Sequence, residues 1–126
     1  MQIRPVSINS YRDLLVWQAA VELYVACYST TKGFPSSEAY GMTSQIRRSA
    51  ASVAANIAEG HGRESTGAFV QFLRVAQGSL KELETDLVLT HRVGLIVDQH
   101  VADLLGKCEE IGKMLRSLVR SLQSKS

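Results

Sequence analysis

Histidine and carboxylate side chains are the residues of this 126-residue chain that could hold a metal ion. A di-iron centre inside a helical bundle needs Glu-x-x-His pairs on facing helices. No Asp or Glu is followed by a histidine three residues later, and His61, His91 and His100 lack metal-ligand spacing. The sequence therefore predicts no metal site and no cofactor.

Patterns for nucleophilic or phosphoryl chemistry are equally weak. The stretch from Gly106 to Lys113 resembles a P-loop, but five residues separate its glycines and Met114 stands where Ser or Thr is needed. Ser29-x-x-Lys32 matches a short nucleophile motif without the companion motifs that give it meaning. Gly60-His61-Gly62 could cradle a phosphate at the start of a helix, although a loop with two glycines needs no ligand. We therefore expect no enzyme activity.

The two cysteines, Cys27 and Cys108, fall at apolar helical positions far apart in the chain. We expect buried, reduced thiols rather than a disulfide. The N-terminal sequence MQIRPVSINS has no apolar signal segment, and no apolar run approaches the length of a membrane span. A cytoplasmic protein without a membrane partner is the expectation.

Arginines are the residues that could contact a partner. The net charge is +2, a shallow excess that an oligomer would repeat on every subunit. The candidate nucleic-acid contacts are Arg47, Arg48, Arg63, Arg74 and Arg92. In the alternative interpretation the arginines pair with the acidic residues Glu59, Glu64, Glu82 and Asp86. A continuous basic surface would favour RNA or DNA binding, and local pairing would favour a structural role.

The chain that must position these residues shows four helical patterns. Helix 1 is expected to start near Arg12 or Asp13 with Ser10 as cap. It carries two apolar stripes. The stripe expected to face the core is Leu14, Trp17, Val21, Tyr24 and Tyr28. The second stripe, expected at a subunit interface, is Val16, Ala20, Leu23 and Cys27.

Helices 3 and 4 have clear apolar seams with steps of three and four residues. The seam of helix 3 is Phe69, Leu73, Ala76, Leu80, Leu83, Leu87 and Thr90. The seam of helix 4 is Val101, Leu104, Cys108, Ile111, Leu115, Leu118 and Leu122. Its outer face carries Glu109, Lys113, Arg116 and Arg120. This face is interpreted as a Glu–Lys pair with cations that suit the helix C-terminus, or alternatively as a basic rim on the oligomer. We expect Ser65 or Thr66 to cap helix 3, Gly94 to end it and Asp98 to cap helix 4. Gly78 inside helix 3 indicates close contact with another backbone.

Helix 2 lies between Gly41 and Gly60, with Thr43 or Ser44 as the expected cap and Gly60 as the left-handed residue after its end. One of its faces is a polar stripe with few charges, formed by Gln45, Arg48, Ser52, Asn56 and Glu59. This stripe has two interpretations. The helix is packed on two sides by neighbours, or the stripe and Gly60 form a site for a subunit or another partner.

Three stretches carry a resemblance to a known family. They are YRDLLVWQAA at 11–20, GFPSSEAYGMTSQIRRSAASVAANIAEG at 33–60 and FLRVAQGSLKELET at 72–85. Together they resemble the four-helix-bundle proteins encoded in intervening sequences of bacterial 23S rRNA genes. The most specific motifs are QIRR at 45–48 and NIAEG at 56–60. Ala54 departs from the family pattern, because proline often stands there.

The resemblance implies an all-α, antiparallel up-down four-helix bundle that assembles as a ring-shaped homopentamer. A related accessory protein of diversity-generating retroelements has the same bundle and works with nucleic acid and a reverse transcriptase. We expect an N-terminal arm over residues 1–10, which could lie along a neighbouring subunit, and one bundle domain over residues 11–126. The expected function is a non-catalytic oligomer that binds nucleic acid through a basic surface. The alternative is a scaffold that contacts only proteins.

Overall fold

The computed structural model describes residues 10–125, and all regular structure within them is helical. The four α-helices are α1 (Leu15–Thr31), α2 (Met42–His61), α3 (Thr66–Arg92) and α4 (Asp98–Ser124). Each helix packs against the next one in the chain, and α4 packs against α1, so the four enclose one apolar core. The prediction of a single all-α domain of four helices is confirmed.

The N-terminus of α1 is preceded by a 3-10 turn, Tyr11–Asp13. Ser10 caps this turn instead of α1: its Oγ accepts a hydrogen bond from the Arg12 backbone N at 3.1 Å. The Ser10 backbone N donates in turn to Asp13 Oδ2 at 3.2 Å. The predicted start of α1 at Arg12 or Asp13 is therefore wrong by this one turn. The predicted arm over residues 1–10 lies, apart from Ser10, outside the described residues.

The N-terminus of α2 has no side-chain cap from within the helix, so the prediction of Thr43 or Ser44 as cap is wrong. Gly41 occupies the cap position. The Met42 backbone N donates instead to Glu38 Oε1 at 3.4 Å, from the 3-10 turn Ser36–Glu38 just before the helix. An anionic carboxylate at this position also suits the positive end of the helix dipole.

The connections at the two ends of α3 follow the predicted turn chemistry in part. Ser65 Oγ accepts from the Ala68 backbone N at 3.1 Å, which confirms the predicted cap of α3. Gly94 follows the end of α3 with φ of +88°, the left-handed conformation that favours glycine. The expected cap of α4 is wrong, because Val97 holds the cap position and Asp98 bonds His91 Nε2 through Oδ1 at 2.6 Å.

The core-facing stripe of α1 is the second of the two apolar stripes. Val16, Ala20, Leu23 and Cys27 are buried. Trp17 and Tyr24 pack at the edge of the core, and Tyr28 is 42% exposed. The predicted assignment of the core-facing stripe is therefore wrong, because the stripe expected at a subunit interface fills the core. Small and aliphatic residues suit the narrow interior of a bundle, and tyrosine and tryptophan suit its rim because their polar atoms stay near water.

The seams of α3 and α4 and the two cysteines agree with expectation. Every predicted residue of the α3 seam is buried or packs against the core. In α4 the buried seam ends at Val119, whereas Leu118 and Leu122 are partly buried beside it. Cys27 and Cys108 are free, buried thiols. Within residues 10–125 no helix is long and apolar enough to cross a bilayer.

The contact between α2 and α3 is the most extensive in the bundle. Gly60 lies inside α2, not after it, so its predicted left-handed role is wrong. A Cβ atom at Gly60 would lie 2.6 Å from Phe72 Cβ and 3.0 Å from Phe69 Cδ1. Glycine is therefore required by the approach of α3. Gly78 was expected to have such a contact, but a Cβ atom placed there would meet no atom of the described chain within 4 Å.

Candidate nucleic-acid interface

Arg47 is held between α1 and α2. Its Nε donates to Thr31 Oγ1 at 2.9 Å, and its guanidinium carbon lies 3.9 Å from the centre of the Tyr28 ring. Thr31 Oγ1 also donates to the Cys27 carbonyl at 2.8 Å. Arg47 is thus held against the end of α1 by ring stacking and by a hydrogen bond through Nε, which is one of the five N–H donors of an arginine.

Arg48 belongs to a polar cluster between α2 and α3. Ser49 Oγ donates to Glu82 Oε1 at 3.0 Å, and Asp86 is buried one turn further along α3. Burial raises the pKa of Asp86, as does the charge of Glu82, while Arg48 and the Ser49 hydroxyl act in the opposite direction. Asp86 Oδ2 has no hydrogen-bond partner within residues 10–125. The charge of Arg48 is therefore partly engaged in compensating a buried carboxyl group.

Arg63 and Arg92 lie near opposite ends of α3. The Arg63 guanidinium lies 4.7 Å from the centre of the Phe72 ring and 3.7 Å from Glu59 Oε1. Arg92 is the last residue of α3. At 1.5 Å per helical residue, Phe72 and Arg92 are about 30 Å apart. Arg63, which lies over Phe72, and Arg92 are therefore too far apart to contact the same phosphate group.

Arg74 lies in a cluster that could not be seen in the sequence. It lines a depression of about 200 Å³ between α3 and α4 together with Arg116 and Arg120. The other residues that line this depression are Val119 and Gln123, so no carboxylate is among them. Three arginines from two helices thus line one concave surface, and Arg74 Nη1 donates to Gln77 Oε1 at 3.4 Å.

The depression continues along the two helices. A second one, of about 230 Å³, is lined by Gln77, Leu80, Lys81, Gly112 and Arg116. We call the continuous surface lined by Arg74, Gln77 and Lys81 of α3 and by Gly112, Arg116 and Arg120 of α4 the α3–α4 groove. Lys81 pairs with Glu84 at 3.2 Å. Lys81, Gly112 and Arg116 also line a larger depression, of about 580 Å³, together with Glu84 and Glu109, so carboxylates lie beside the Lys81 end of the groove and the Arg74 end is the more basic one.

Arg116 and Arg120 were not among the arginines selected from the sequence. Their spacing of four residues places them on the same side of α4. Within residues 10–125 neither forms an ion pair, whereas Lys113 of the same helix pairs with Glu109 at 3.6 Å. The sequence placed both on the outer face of helix 4, with a basic rim on the oligomer as one interpretation, but only the packing of α4 against α3 brings them to Arg74.

Some residues of the polar stripe of α2 pack inside the bundle, and others lie on its surface. Ser52 Oγ lies 2.7 Å from Ser79 Oγ of α3, and Asn56 Nδ2 donates to the Ser52 carbonyl at 2.8 Å. Gln45 and Glu59 are exposed. Ser52, Asn56 and Gly60 therefore serve the packing of α2 against α3, and an interface role for the stripe stays a prediction.

The histidines make local contacts. His91 bonds Asp98, and the His61 ring lies edge-on to Phe69 with 5.8 Å between ring centres. Across residues 10–125 no group of three or more His, Cys, Asp or Glu side chains is arranged to hold a metal ion.

Fold and surface together define a small four-helix domain with an arginine-lined groove between α3 and α4. A sequence profile of the 23S rRNA-intervening sequence protein family matches residues 12–117, and the chain belongs to this family. The resemblance seen in the sequence is thereby confirmed.

A solved structure supports the same assignment. It is the crystal structure of a protein of unknown function from the S23 ribosomal protein family of Bacteroides thetaiotaomicron VPI-5482. This chain is similar to it with a TM-score of 0.75 and 27% sequence identity, over 83% of this chain and 98% of that one. No curated protein matches the chain in sequence.

Proposed function

We propose that this protein is a non-catalytic, cytoplasmic homo-oligomer that binds nucleic acid through phosphate contacts in the α3–α4 groove. The observation that carries the proposal is the convergence of Arg74, Arg116 and Arg120 on one depression without a lining carboxylate. Arginine presents a planar fork of donors that matches phosphate oxygens, so three of them on one concave surface suit a polyanion.

The spacing of these arginines also suits a nucleic-acid backbone. Residues four apart on a helix have Cβ atoms about 5 to 6 Å apart, and long side chains let Arg116 and Arg120 reach neighbouring phosphates of one strand. The residues that line the groove include no aromatic ring. Base stacking would therefore contribute little, and the groove favours the backbone of a duplex over the bases of a single strand.

Oligomerisation is part of the same proposal. The helices are proposed to run antiparallel in an up-down order, supported by contacts of Ser49 with Glu82 and of Ser52 with Ser79. A ring of five copies is the assembly that the family resemblance implies. Such a ring would repeat the groove five times and turn a shallow charge excess into multivalent binding.

Charge reversal in the groove tests the proposal. In the variant Arg74→Glu, Arg116→Glu, Arg120→Glu, we expect affinity for duplex RNA and DNA to fall at least tenfold. The matched control reverses three exposed cations elsewhere, Arg12, Lys32 and Lys107, and so makes the same change in net charge. Equal losses in the two variants would show that only net charge matters, and unchanged affinity in the groove variant would refute nucleic-acid binding there.

The second candidate is a protein-interaction scaffold without nucleic-acid contact. The observation that favours it is a group of exposed apolar side chains at the end of α3 and in the connection to α4, namely Val88, Leu89, Val93 and Val97. Apolar groups of this kind commonly mark protein contacts. Light scattering that showed a monomer at micromolar concentration would refute a self-assembling scaffold.

A further inference from the structure

Tyr40 is the most exposed large apolar side chain in the part of the chain that the structure describes. It is 99% exposed and stands in the connection between α1 and α2. Hydrogen bonds fix the backbone on both sides of it. The Ala39 N–H donates to the Ser36 carbonyl at 3.1 Å, before the tyrosine. The Gly41 N–H donates to the Glu38 carbonyl at 3.0 Å, after it. A tyrosine held rigidly in water is the kind of anchor that interfaces between proteins bury.

A second exposed apolar surface lies where α3 ends and the chain turns into α4. We call it the α3-end patch, and its residues are Val88, Leu89, Val93 and Val97, with Arg92 among them. Val88 and Leu89 also line the depression of about 580 Å³ between α3 and α4. The patch therefore offers a partly concave apolar surface beside one positive charge.

We propose that Tyr40 of one copy docks on the α3-end patch of a neighbouring copy. This inference rests on the proposed homo-oligomer and assigns one of its contacts. The charges beside the two surfaces are complementary, since Glu38 lies two residues before Tyr40 and Arg92 lies within the patch. Neither Glu38 nor Arg92 forms an ion pair within residues 10–125. Docking would therefore bring two unpaired and opposite charges together.

Tyr40 and the α3-end patch lie at the same end of the bundle. Gly60, near the end of α2, packs on Phe72 of α3. Ser49, nearer the start of α2, bonds Glu82 further along α3. The start of α2 therefore lies beside the later turns of α3. Because Tyr40 comes just before α2 and the patch begins in the last turns of α3, the two lie at a similar height along the bundle.

The same two surfaces belong to opposite sides of the bundle. Among the described residues, α1 contacts α2 and α4 but not α3, and α2 contacts α1 and α3 but not α4. The connection of α1 to α2 therefore lies across the bundle from that of α3 to α4, and Tyr40 does not cover the patch of its own chain. Rotation about a ring axis keeps every copy at one height, so a head-to-tail ring needs complementary surfaces at one height on opposite sides. A second copy of this chain meets that requirement.

Tyr40 is the anchor of a wider contact. A tyrosine buries about 150 to 250 Å², whereas each partner of a standard interface buries about 800 Å². A few anchor residues nevertheless carry most of the binding energy of an interface. Loss of the Tyr40 ring should therefore weaken the oligomer far more than loss of an exposed apolar side chain elsewhere.

Truncation of Tyr40 tests the proposal by sedimentation velocity over a concentration series. We expect Tyr40→Ala to raise the dissociation constant of the oligomer at least about tenfold. The control Val25→Ala removes an exposed apolar side chain of α1 and should change it less than about twofold. Equal shifts in the two variants, or no shift in Tyr40→Ala while the wild type is oligomeric, would overturn this inference alone. A wild type that is monomeric at micromolar concentration would refute the proposed homo-oligomer as well.

A charge exchange tests the pairing of the two surfaces. Arg92→Glu should weaken the oligomer because it places two carboxylates against each other. Adding Glu38→Arg to the same chain restores opposite charges and should recover most of the lost association. A double variant that associates no better than Arg92→Glu would overturn the pairing.

Disulfide trapping covers the case in which these variants do not fold. Chains with Tyr40→Cys and chains with Val93→Cys are refolded together, so that one oligomer contains both. The control replaces the second chain by Ser117→Cys, where the thiol lies about 28 Å along α4 from its start. The native thiols interfere little, because burial raises the pKa of Cys27 and of Cys108 to about 12.

Under mild oxidation we expect the Val93→Cys mixture to form mixed disulfide dimers at least about tenfold faster than the control mixture, as identified by mass spectrometry. Equal rates in the two mixtures would overturn the proposal. Dimers of two Tyr40→Cys chains as the main product would overturn it too, because they would place the two tyrosines side by side.

Discussion

Gly60 packs tightly against α3, and Gly60→Ala should destabilise the protein. The added Cβ would lie 2.6 Å from Phe72 Cβ and 3.2 Å from the Phe69 carbonyl oxygen, both well inside van der Waals contact. Overfilling such a contact costs about 1 to 3 kcal/mol. The higher helix propensity of alanine relative to glycine offsets up to about 1 kcal/mol of this loss. Because backbone and Cβ atoms cannot turn away, we expect a net loss of about 1 to 2 kcal/mol.

Urea unfolding followed by circular dichroism measures this loss, which corresponds to a fall in Tm of about 3 to 10 °C for a domain of this size. Gly78→Ala is the matched control, since it makes the same exchange within α3 where no atom lies within 4 Å. We expect that control to gain up to about 1 kcal/mol. The reasoning is refuted if both variants gain stability. A loss in Gly78→Ala would instead show that a second subunit covers Gly78.

Three further outcomes follow from individual side chains. Arg47→Ala should lower the free energy of unfolding, measured in urea, by about 1 to 2 kcal/mol. Arg47→Lys should recover less than half of this loss, because an ammonium group cannot both stack on Tyr28 and donate as Nε does. Full recovery of stability in Arg47→Lys would contradict this reasoning. The folded-state pKa of Asp86 is raised by burial, so its contribution to stability is complete below its unfolded pKa and is lost as pH rises through the folded value. Asp86→Asn should therefore gain more stability relative to wild type at pH 7 than at pH 4, and a larger gain at pH 4 would refute that sign. Burial raises the pKa of the Cys27 and Cys108 thiols to about 12. At pH 8 a thiol reagent should therefore modify them more than about a hundredfold faster in urea than in the native protein. Equal rates of modification would show that the native core is open.

The helices could be predicted because their apolar residues repeat in steps of three and four. The seam of α3 and most of that of α4 follow from this period alone. The period could not decide which stripe of α1 faces inward, because Val16 and Trp17 are neighbours and both stripes are apolar. Side-chain size determines which stripe faces inward. The narrow interior accommodates Ala20 and Cys27, whereas Tyr28 packs against Arg47 at the rim.

The candidate groove was harder to predict because it depends on two helices at once. Arg74 was selected from the sequence, but Arg116 and Arg120 join it only through the packing of α4 on α3. Conversely, Arg47 looked available in the sequence and is held by Tyr28 and Thr31. Sequence spacing places residues on one helix face, and the neighbouring helix determines whether that face is free.

The most direct test of the central proposal is the salt dependence of binding to a DNA duplex, measured by fluorescence anisotropy. The account predicts micromolar or tighter binding, with log affinity falling linearly with log salt. Each lost phosphate contact lowers the slope by about 0.9. Replacing Arg74, Arg116 and Arg120 by alanine should therefore lower it by about 2.7. An unchanged slope in that variant, or no binding by the wild type at low salt, would contradict the account.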